Sequence, residues 1–276
     1  MITKLDSLPP IPAIARKILS LKINTDEGEL ELFNLIEKDP ALMAKIIGLS
    51  NSPLFARGRT ILTLYDAEAV LGSKRVKMTA LGCAMIASIS KKPGGLFDID
   101  ALWKHSLSIA TTMDTLHRYM PKERRPAEDE VYLAGLLHDF GFLVLNYLDT
   151  PLCDQLYSRM LAEPTRAVEE IEAEILEMTH GELGAELACH WGLPENIIAV
   201  LRCHHTPEKC SNAAQQPLVA LAHWAEKLLP AFDMGEAVPI NTEAEAWQCL
   251  GIDPGAADEI IANIKMATER VAEISI

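Results

Sequence analysis

The stretch AGLLHDFGFLVL, residues 134–145, places His138 and Asp139 side by side in an otherwise apolar run. It lies within EVYLAGLLHDFGFLVLNYL, which is apolar nearly all round and therefore predicts a helix buried at the centre of a domain. Burying an ionised carboxylate without a partner destabilises a protein by several kcal/mol, so Asp139 needs a counter-charge. The packed centre is predicted to include Leu136, Leu137, Leu143 and Val144.

Helical patterns continue on both sides of this segment. In IPAIARKILSL, the residues Ile11, Ile14, Ile18 and Leu21 recur at steps of three, four and three, which is the stripe of an amphipathic helix. The segment DEGELELFNLIEKDPALMAKIIGLSNSP predicts two helices separated at KDP, and THGELGAELACHWG begins with a capping-box pattern. No alternating strand pattern of useful length occurs in the sequence. We therefore predict an all-α fold, a multi-helix bundle.

A loop is predicted for KKPGGLFDID, residues 91–100, because Pro93, Gly94 and Gly95 are strong helix breakers. We therefore expect a domain boundary near residue 95. In this interpretation an N-terminal helical subdomain, residues 1–95, precedes a larger helical core with C-terminal helices, residues 96–276.

The composition excludes several classes of protein. Of the 276 residues, 49% are hydrophobic and 23% are charged, so the chain has enough apolar side chains for a core and is not disordered. The net charge of −14 argues against broad nucleic-acid binding, which needs a basic surface. The N-terminus MITKLDSLPP resembles no signal peptide, the apolar runs are too short for a membrane span, and the six cysteines include no Cys-x-x-Cys pair. These features predict a cytoplasmic protein with reduced thiols.

The histidines carry the functional signal. A single helical histidine is more often a hydrogen-bonded core or surface residue than a ligand. Here five separate predicted helices each bring an imidazole, and one also brings a carboxylate, which is the ligand mix of Zn, Fe, Mn or Ni. A divalent transition metal would also supply the counter-charge that Asp139 needs. We therefore predict that one pocket gathers, as metal ligands, His105, His138, Asp139, His180, His204, His205 and His223.

Two family resemblances follow from these residues. The order of a histidine followed by a His-Asp pair resembles the HD superfamily of metal-dependent phosphohydrolases. The N-terminal segments LPPIPAIARKILSL, IEKDPALMAKIIGLSNSPLF and AVLG resemble the HDOD family, a bacterial signalling module related to HD hydrolases. The resemblance covers roughly residues 5–230 and implies an HD-like helical fold with a regulatory role. Many HDOD proteins are thought to have lost catalysis.

The resemblance also implies roles for individual residues. His105 matches the first HD histidine, and His138 with Asp139 match the pair that gives the superfamily its name. The stretch THGELGAELACHWGLPENIIAVLRCHHTPE is similar to the HD-GYP branch, which hydrolyses cyclic dinucleotides. On that match, a two- or three-metal site would be completed by His180, His204 and His205.

The sequence departs from the HD pattern at three places. The last superfamily ligand is normally an Asp in a helix similar to ALAD, whereas ALAH offers His223 here. The motif His-Asp-x-Gly-Lys becomes HDFGF, so Phe142 stands where a lysine would help to bind phosphate. The Gly-Tyr-Pro tripeptide is missing after HHTPE. The predicted metal ligands are thus mostly present, while the residues that handle phosphate are altered.

Two functions therefore compete. The first is a signalling protein with a metal pocket and weak or no catalysis, which responds to a signalling protein partner or a small phosphorylated ligand. The second is a metal-dependent phosphohydrolase of nucleotides or cyclic dinucleotides, with Asp139 in the catalytic site and a metal that lowers the pKa of water. The HDOD resemblance and Phe142 favour the first, and the six histidines with Asp139 favour the second. The sequence leaves the oligomeric state open.

Overall fold

The computed structural model describes residues 7–55, 58–90, 95–229 and 241–274, except the side chains of residues 241–243. Throughout these ranges the regular structure is helical and no strand occurs, which confirms the predicted all-α class. The α-helices, in chain order, are α1 (Ala13–Ser20), α2 (Asp26–Glu37), α3 (Pro40–Ser50), α4 (Leu64–Leu71), α5 (Ser73–Ile89), α6 (Ile99–Tyr119), α7 (Glu128–Leu137), α8 (Phe140–Leu148), α9 (Thr150–Ala162), α10 (Val168–Ile175), α11 (His180–His190), α12 (Glu195–Cys203), α13 (Gln216–Lys227), α14 (Asn241–Leu250) and α15 (Ala257–Ala272).

Local sequence signals fix the ends of the N-terminal helices. The side chain of Thr25 caps α2 by accepting a backbone N–H of the first turn. Asp39 caps α3 by accepting the backbone N–H groups of Ala41 and Leu42, each at 3.1 Å. Pro40 occupies the first position of α3, where a proline leaves no intrahelical hydrogen bond unmade. The predicted break at KDP is therefore confirmed.

Helix α5 joins the N-terminal helices to the rest of the molecule. It packs against α7 so closely that a Cβ added at Gly82 would lie 3.3 Å from the side chain of Leu136. The buried apolar residues form one cluster that includes members of both sides of this contact. Pro93 and Gly94, on which the predicted boundary near residue 95 depends, lie outside the described residues. That boundary stays a prediction.

The apolar central segment is two helices rather than the single helix that its composition predicts. Helix α7 ends at Leu137 and α8 begins at Phe140. Asp139 between them has φ −97° and ψ 15°, which interrupts the helical conformation. Beyond the break, Gly141 lies against α11, where an added Cβ would be only 1.7 Å from the carbonyl oxygen of His180. The break and the glycine together let α8 approach the backbone of α11.

This central pair is the most deeply buried part of the fold. By length and composition residues Glu128–Leu148 are apolar enough to cross a membrane, with a mean hydropathy of 1.4, but 89% of that window is buried inside the protein. Its burial is that of a core segment. The predicted core residues are each at most 1% exposed, which confirms them: Leu136, Leu137, Leu143 and Val144.

Segments near both ends of the described residues contact the helical core. The indole N–H of Trp191, at the end of α11, donates a hydrogen bond of 2.8 Å to the carbonyl oxygen of Pro9. At the other end α15 packs against α6, and Lys104 Nζ donates to the carbonyl oxygen of Ala272 at 3.1 Å. The residues of α15 that are buried are Ile260, Ile264 and Val271.

Candidate metal centre

Side chains from five parts of the core converge at the break between α7 and α8. We define a first ligand group and a second ligand group, each made of side-chain nitrogen and oxygen atoms that lie within 4.8 Å of one another. The first ligand group consists of His105 on α6, His138 and Asp139 at the break, and Glu226 on α13. The second ligand group consists of the same Asp139 with His180 at the start of α11, and His204 and His205 after α12.

Asp139 belongs to both groups and presents a different oxygen to each. Its Oδ2 lies 3.5 Å from His105 Nε2 and 3.3 Å from His138 Nε2. Its Oδ1 lies 3.3 Å from His180 Nε2 and 3.5 Å from His204 Nε2. The carboxylate therefore stands between two sets of imidazoles, in a position from which it can bridge two ions.

The first ligand group combines two imidazoles with two carboxylates. His105 Nε2 and His138 Nε2 are 3.2 Å apart. Glu226 places Oε2 2.9 Å from His138 Nε2 and Oε1 3.5 Å from His105 Nε2. His138 Nδ1 donates to the carbonyl oxygen of Gly135 at 2.9 Å, which leaves the Nε2 lone pair of a neutral ring directed at the group.

The second ligand group is richer in imidazole. His180 Nε2 and His204 Nε2 are 3.3 Å apart. His180 Nδ1 donates to Glu172 Oε1 at 2.7 Å, and the same oxygen accepts the backbone N–H of His180 at 2.9 Å. His204 Nδ1 lies 3.0 Å from the carbonyl oxygens of Val200 and Leu201. In both rings the outer nitrogen is thus held by an acceptor, and Nε2 faces Asp139.

Glu172 and Glu226 were not singled out by the sequence analysis. Glu172 is fully buried, yet it lies in the charged stretch RAVEEIEAEILEM. Its spacing of four from Val168 and three to Ile175 puts it on the apolar stripe of α10, and this was the available signal. Glu226 lies about one turn after His223, the position on α13 at which the resemblance implies a metal ligand.

The predicted residues do not all meet. His223 belongs to neither ligand group among the described residues, and its Nδ1 donates to the carbonyl oxygen of His204 at 2.7 Å. Glu226, three residues later, faces the first ligand group instead, so the expected histidine gives way to a carboxylate. His205 lies at the edge of the second ligand group, with its side chain 21% exposed and its Nδ1 3.4 Å from Glu169. The remaining predicted residues come together, and their roles as ligands stay a prediction.

Strong mutual interactions perturb the ionisable groups. Burial opposes charge on His138, but Asp139 and Glu226 outweigh it and raise the pKa of that imidazole well above its usual value. Burial likewise opposes charge on Asp139 and Glu226, yet His138 holds the pKa of both carboxyls well below the usual range. For His180 the carboxylates of Glu172 and Asp139 overcome burial and raise the pKa to about 10. The carboxylates of Asp139 and Glu226 thus stay ionised and attract a cation.

The donor set fits a divalent transition metal. Asp139 Oδ1 and Glu226 Oε2 are buried and accept no well-directed hydrogen bond among the described residues, although a buried carboxylate oxygen normally does. Each has instead an imidazole nitrogen of its own ligand group beside it, His180 Nε2 at 3.3 Å and His138 Nε2 at 2.9 Å. An ion with bonds of about 2.1 Å separates neighbouring ligand atoms by about 3.0 to 3.4 Å, from octahedral to tetrahedral geometry. The spacings of 3.2 and 3.3 Å between the paired imidazole nitrogens lie in that range.

Phe142 covers one side of the second ligand group. Its ring stacks on that of His180 with centroids 4.2 Å apart and planes inclined by 10°. It is 3% exposed and continues into a second stacked contact with Phe97 at 6.0 Å. The position where the resemblance implies a lysine therefore holds a packed apolar ring.

Solvent reaches the two groups at few points. His138, Asp139, His180 and His204 are each no more than 2% exposed. A cavity of about 510 Å³ between α6 and α15 includes His105 in its wall. The charged residues of this wall, besides His105, are Asp98, Asp100, Lys104 and Glu269. An entrance with three carboxylates and one ammonium group disfavours anions until cations are bound.

Comparison with known proteins places the chain among relatives of the same fold. The sequence pattern of the HDOD domain matches residues 8–207. An HDOD domain protein of unknown function from Geobacter sulfurreducens has a similar crystal structure, with a TM-score of 0.81 and 24% identity over 100% of this chain and 98% of that one. A protein from Marinobacter aquaeolei VT8, provisionally described as a signal transduction protein, gives a TM-score of 0.75 and 25% identity over 97% of this chain.

The chain spans only part of two of these relatives. It covers 60% of the Marinobacter protein. It also matches an uncharacterized protein of Treponema pallidum (strain Nichols), with 22% identity over 236 residues, which are 83% of this chain and 44% of that protein.

Proposed function

Because the chain belongs to the HDOD family, we propose that it is a regulatory signalling protein whose buried histidines and carboxylates hold divalent transition-metal ions. In this proposal it turns over phosphodiesters slowly or not at all. The output is directed to a signalling protein partner or set by a small phosphorylated ligand, and the protein acts in the cytoplasm. A phosphohydrolase of nucleotides or cyclic dinucleotides is the second candidate.

One observation carries the proposal: the shared carboxylate and three of the imidazoles around it are almost sealed from solvent, with exposures of 0 to 2%. Structural metal sites have all their ligand positions filled by the protein, whereas catalytic sites keep one open for water or substrate. A sealed centre can hold helices together and change their packing when its occupancy changes. That property suits a regulatory role better than turnover.

The residues of the two ligand groups have different roles in the proposed metal binding. In the first ligand group an ion would be held by His105, His138 and Glu226. In the second ligand group an ion would be held by His180, His204 and His205. Asp139 belongs to both groups and would contribute to both sites. A bound ion would supply positive charge and Lewis acidity at this position. Glu172 orients His180, and backbone carbonyls orient His138 and His204.

Phe142 supports low turnover because it replaces a charged donor by an apolar ring. A charge-assisted contact to a phosphate oxygen contributes about 1.5 to 3 kcal/mol. Used wholly in the transition state, such a contact accelerates a reaction by about one to two orders of magnitude. The stacked Phe142 ring offers no such contact and covers one face of His180.

The second candidate, a hydrolase, is favoured by the cavity of about 510 Å³ that reaches His105. A substrate in this cavity would approach the first ligand group. The three carboxylates of the entrance would repel a phosphodiester, so this candidate requires bound cations to reverse the local charge.

The metal part of the proposal is tested by elemental analysis of protein purified without a His-tag and reconstituted anaerobically. We expect about one to two equivalents of a transition metal in the wild type. The double variant His138→Ala, Asp139→Ala, which changes both ligand groups, should lose most of it, whereas His190→Ala, a change at an exposed histidine, should not. Less than about a tenth of an equivalent in the wild type would instead make these residues a hydrogen-bonded core.

The activity part is tested with metal-loaded protein, cyclic dinucleotides and an aryl phosphodiester. We expect wild-type turnover far below about 1 per second, the lower end of ordinary enzymes. Phe142→Lys should raise it, while Phe142→Leu, which opens space without adding charge, should not. Wild-type turnover near about 1 per second would favour the hydrolase over the signalling protein.

A further inference from the structure

A second concave surface lies on the far side of α6 from the metal centre. We call it the arginine groove; it is a cavity of about 400 Å³ between the N-terminal helices and the pair α6 and α15. Asp114, in its wall, follows His105 by nine positions on α6, which is about 13 Å along the helix and half a turn around it. The arginine groove is thus separate from both ligand groups.

Three guanidinium groups face the arginine groove, and the most deeply set is Arg75. Its Nη2 donates to Asp114 Oδ2 at 2.6 Å, its Nη1 donates to the carbonyl oxygen of Leu71 at 3.4 Å, and its side chain is 20% exposed. Its Cζ lies 5.4 Å from the ring centre of Phe55 and 5.2 Å from that of Tyr132. An arginine held between a carboxylate and two aromatic faces keeps a fixed orientation, so its remaining N–H groups are ready to bind a ligand.

The charges that line the arginine groove do not balance. Arg118 Nη2 also donates to Asp114 Oδ2 at 2.6 Å, so one carboxylate serves two guanidiniums. Arg270 on α15 adds a third cation to the wall, and among the described lining residues Asp114 is the single anion, so these residues carry a net charge of +2. This charge stands on a chain whose net charge is −14. A positive concave surface on an acidic protein concentrates anions selectively.

The rest of the wall is suited to a flat or apolar group. Leu54 and Phe55 contribute from the N-terminal side, and Met266, which is 44% exposed, contributes from α15. The volume of about 400 Å³ lies within the usual range for small-molecule pockets. We propose that the arginine groove binds a small phosphomonoester that carries a planar ring, the chemistry of a mononucleotide.

A neighbouring cavity contains the same arginines but is less suited to binding an anion than the arginine groove. That cavity of about 340 Å³ shares Arg75, Asp114 and Arg118 with the arginine groove. It adds Lys74 together with Glu128 and Asp129, so its three cations meet three anions. Lys74 is also paired with Glu128 at 3.1 Å. An anion would bind more weakly in that cavity, because the positive and negative side chains of its wall neutralise one another.

The experiment uses AMP as the probe and adenosine as its uncharged counterpart, with calorimetry on the full-length, metal-loaded protein. We expect saturable binding of AMP with a Kd below about 1 mM, weakened by salt, and much weaker binding of adenosine. Arg118→Gln with Arg270→Gln should lower the affinity for AMP at least about tenfold. Arg16→Gln with Arg59→Gln, a matched pair of exposed arginines outside the groove, should leave it unchanged.

These variants avoid Arg75, whose loss would leave Asp114 and the helix contacts around it altered. The proposal is overturned if AMP shows no saturable binding, if adenosine binds as well as AMP, or if the groove variant binds AMP like the wild type. The last result would also reveal a phosphate held by bound metal, since both ligand groups are intact in that variant. The inference does not depend on metal binding, so a failure of either proposal is visible separately.

Discussion

Asp139 is the residue on which both ligand groups depend, because each of its oxygens faces a different pair of imidazoles. We expect Asp139→Asn to abolish binding of both ions, since it removes the shared charge while keeping the shape. Glu226→Gln should weaken only the first ligand group. Calorimetric titration with Mn²⁺ distinguishes these outcomes by stoichiometry. Two ions bound normally to Asp139→Asn would contradict the shared position of this carboxylate.

Glu172 acts on the centre through His180. Its Oε1 accepts both the Nδ1–H and the backbone N–H of His180, so it sets the direction of the ring. Removing such an outer carboxylate lowers metal affinity by about 10- to 100-fold, and we expect Glu172→Gln to do so. The comparison is Glu170→Gln on the same helix, whose side chain is 65% exposed. Equal metal affinity of the two variants, with equal thermal stability, would leave Glu172 without this role.

At the scale of residues, the sequence predicted imidazoles better than carboxylates. A histidine within an apolar helix stands out, and six of those selected come to lie in the two ligand groups or beside them. Glu226 and Glu172 lie among many other acidic residues, so only their helical phase distinguishes them. Whether position 223 or 226 of α13 faces the centre depends on how that helix is rotated about its axis, which tertiary packing sets.

Helices α8 and α11 touch where Gly141 meets the backbone of His180. An alanine Cβ there would be 1.7 Å from a carbonyl oxygen, so the two helices would have to separate. We expect Gly141→Ala to lower the free energy of unfolding by about 3 kcal/mol or more. Gly48→Ala on α3, where nothing lies within 4 Å of an added Cβ, should instead raise it by about 0.5 to 1 kcal/mol. Urea denaturation measures both, and a mild effect at Gly141 would contradict this close contact.

Helices α9 and α10 are joined by a surface network of arginines and glutamates. Hydrogen bonds from Arg159 and Arg166 lower the pKa of Glu163 to about 2, from an ordinary 4.5. The stabilisation by this carboxylate is therefore present above pH 4.5 and is lost as the pH falls through about 2. We expect the urea midpoint of Glu163→Gln to fall below that of the wild type at pH 6 and to approach it towards pH 2. Glu31→Gln on α2, which lies outside this network, is the control for the general effect of removing a surface carboxylate, and added salt should narrow the gap at pH 6.

At the scale of elements, amphipathic periodicity and caps predicted where helices lie, and the predicted break at KDP is an example. The break at Asp139 was missed for a physical reason. The residues on both sides are apolar and favour a helix, and only the partners in α11 and α13 make an interrupted backbone favourable. These partners are distant in sequence, so the local sequence pattern around Asp139 cannot predict the break.

The N-terminal helices and the helical core should unfold together. Helix α5 packs against α7, and Pro9 is bonded to Trp191, so few interactions could survive on one side alone. We expect tryptophan fluorescence and far-UV circular dichroism to give the same transition in urea. All four tryptophans follow residue 95, so fluorescence reports the core and, through Trp191, its contact with Pro9: Trp103, Trp191, Trp224 and Trp247.

A variant in the N-terminal half makes this test stricter. Leu81→Ala in α5 removes a side chain that is 1% exposed and should lower stability by about 2 to 5 kcal/mol. Fluorescence should report the full loss of stability if the N-terminal helices and the helical core unfold together. A fluorescence midpoint that stays at the wild-type value would show that the predicted boundary near residue 95 separates independent units.

At the scale of the whole molecule, the predicted class is confirmed, and the resemblance anticipated the family. The arginine groove was beyond prediction. Arg75, Arg118 and Arg270 come from three helices, and the sequence alone shows them only as scattered charges on an acidic chain. Their meeting depends on how α15 returns across α6, a long-range feature that no local pattern encodes.

The bond between Trp191 and Pro9 has a consequence for biosynthesis. Pro9 and Trp191 are 182 positions apart in the chain. A ribosome that adds about 5 to 20 residues per second therefore reaches Trp191 about 10 to 40 s after it has added Pro9. During that interval the segment around Pro9 has no docking place on α11. Chaperones and proteases can therefore reach this segment before the enclosing helices exist, because its partner in α11 is synthesised so much later.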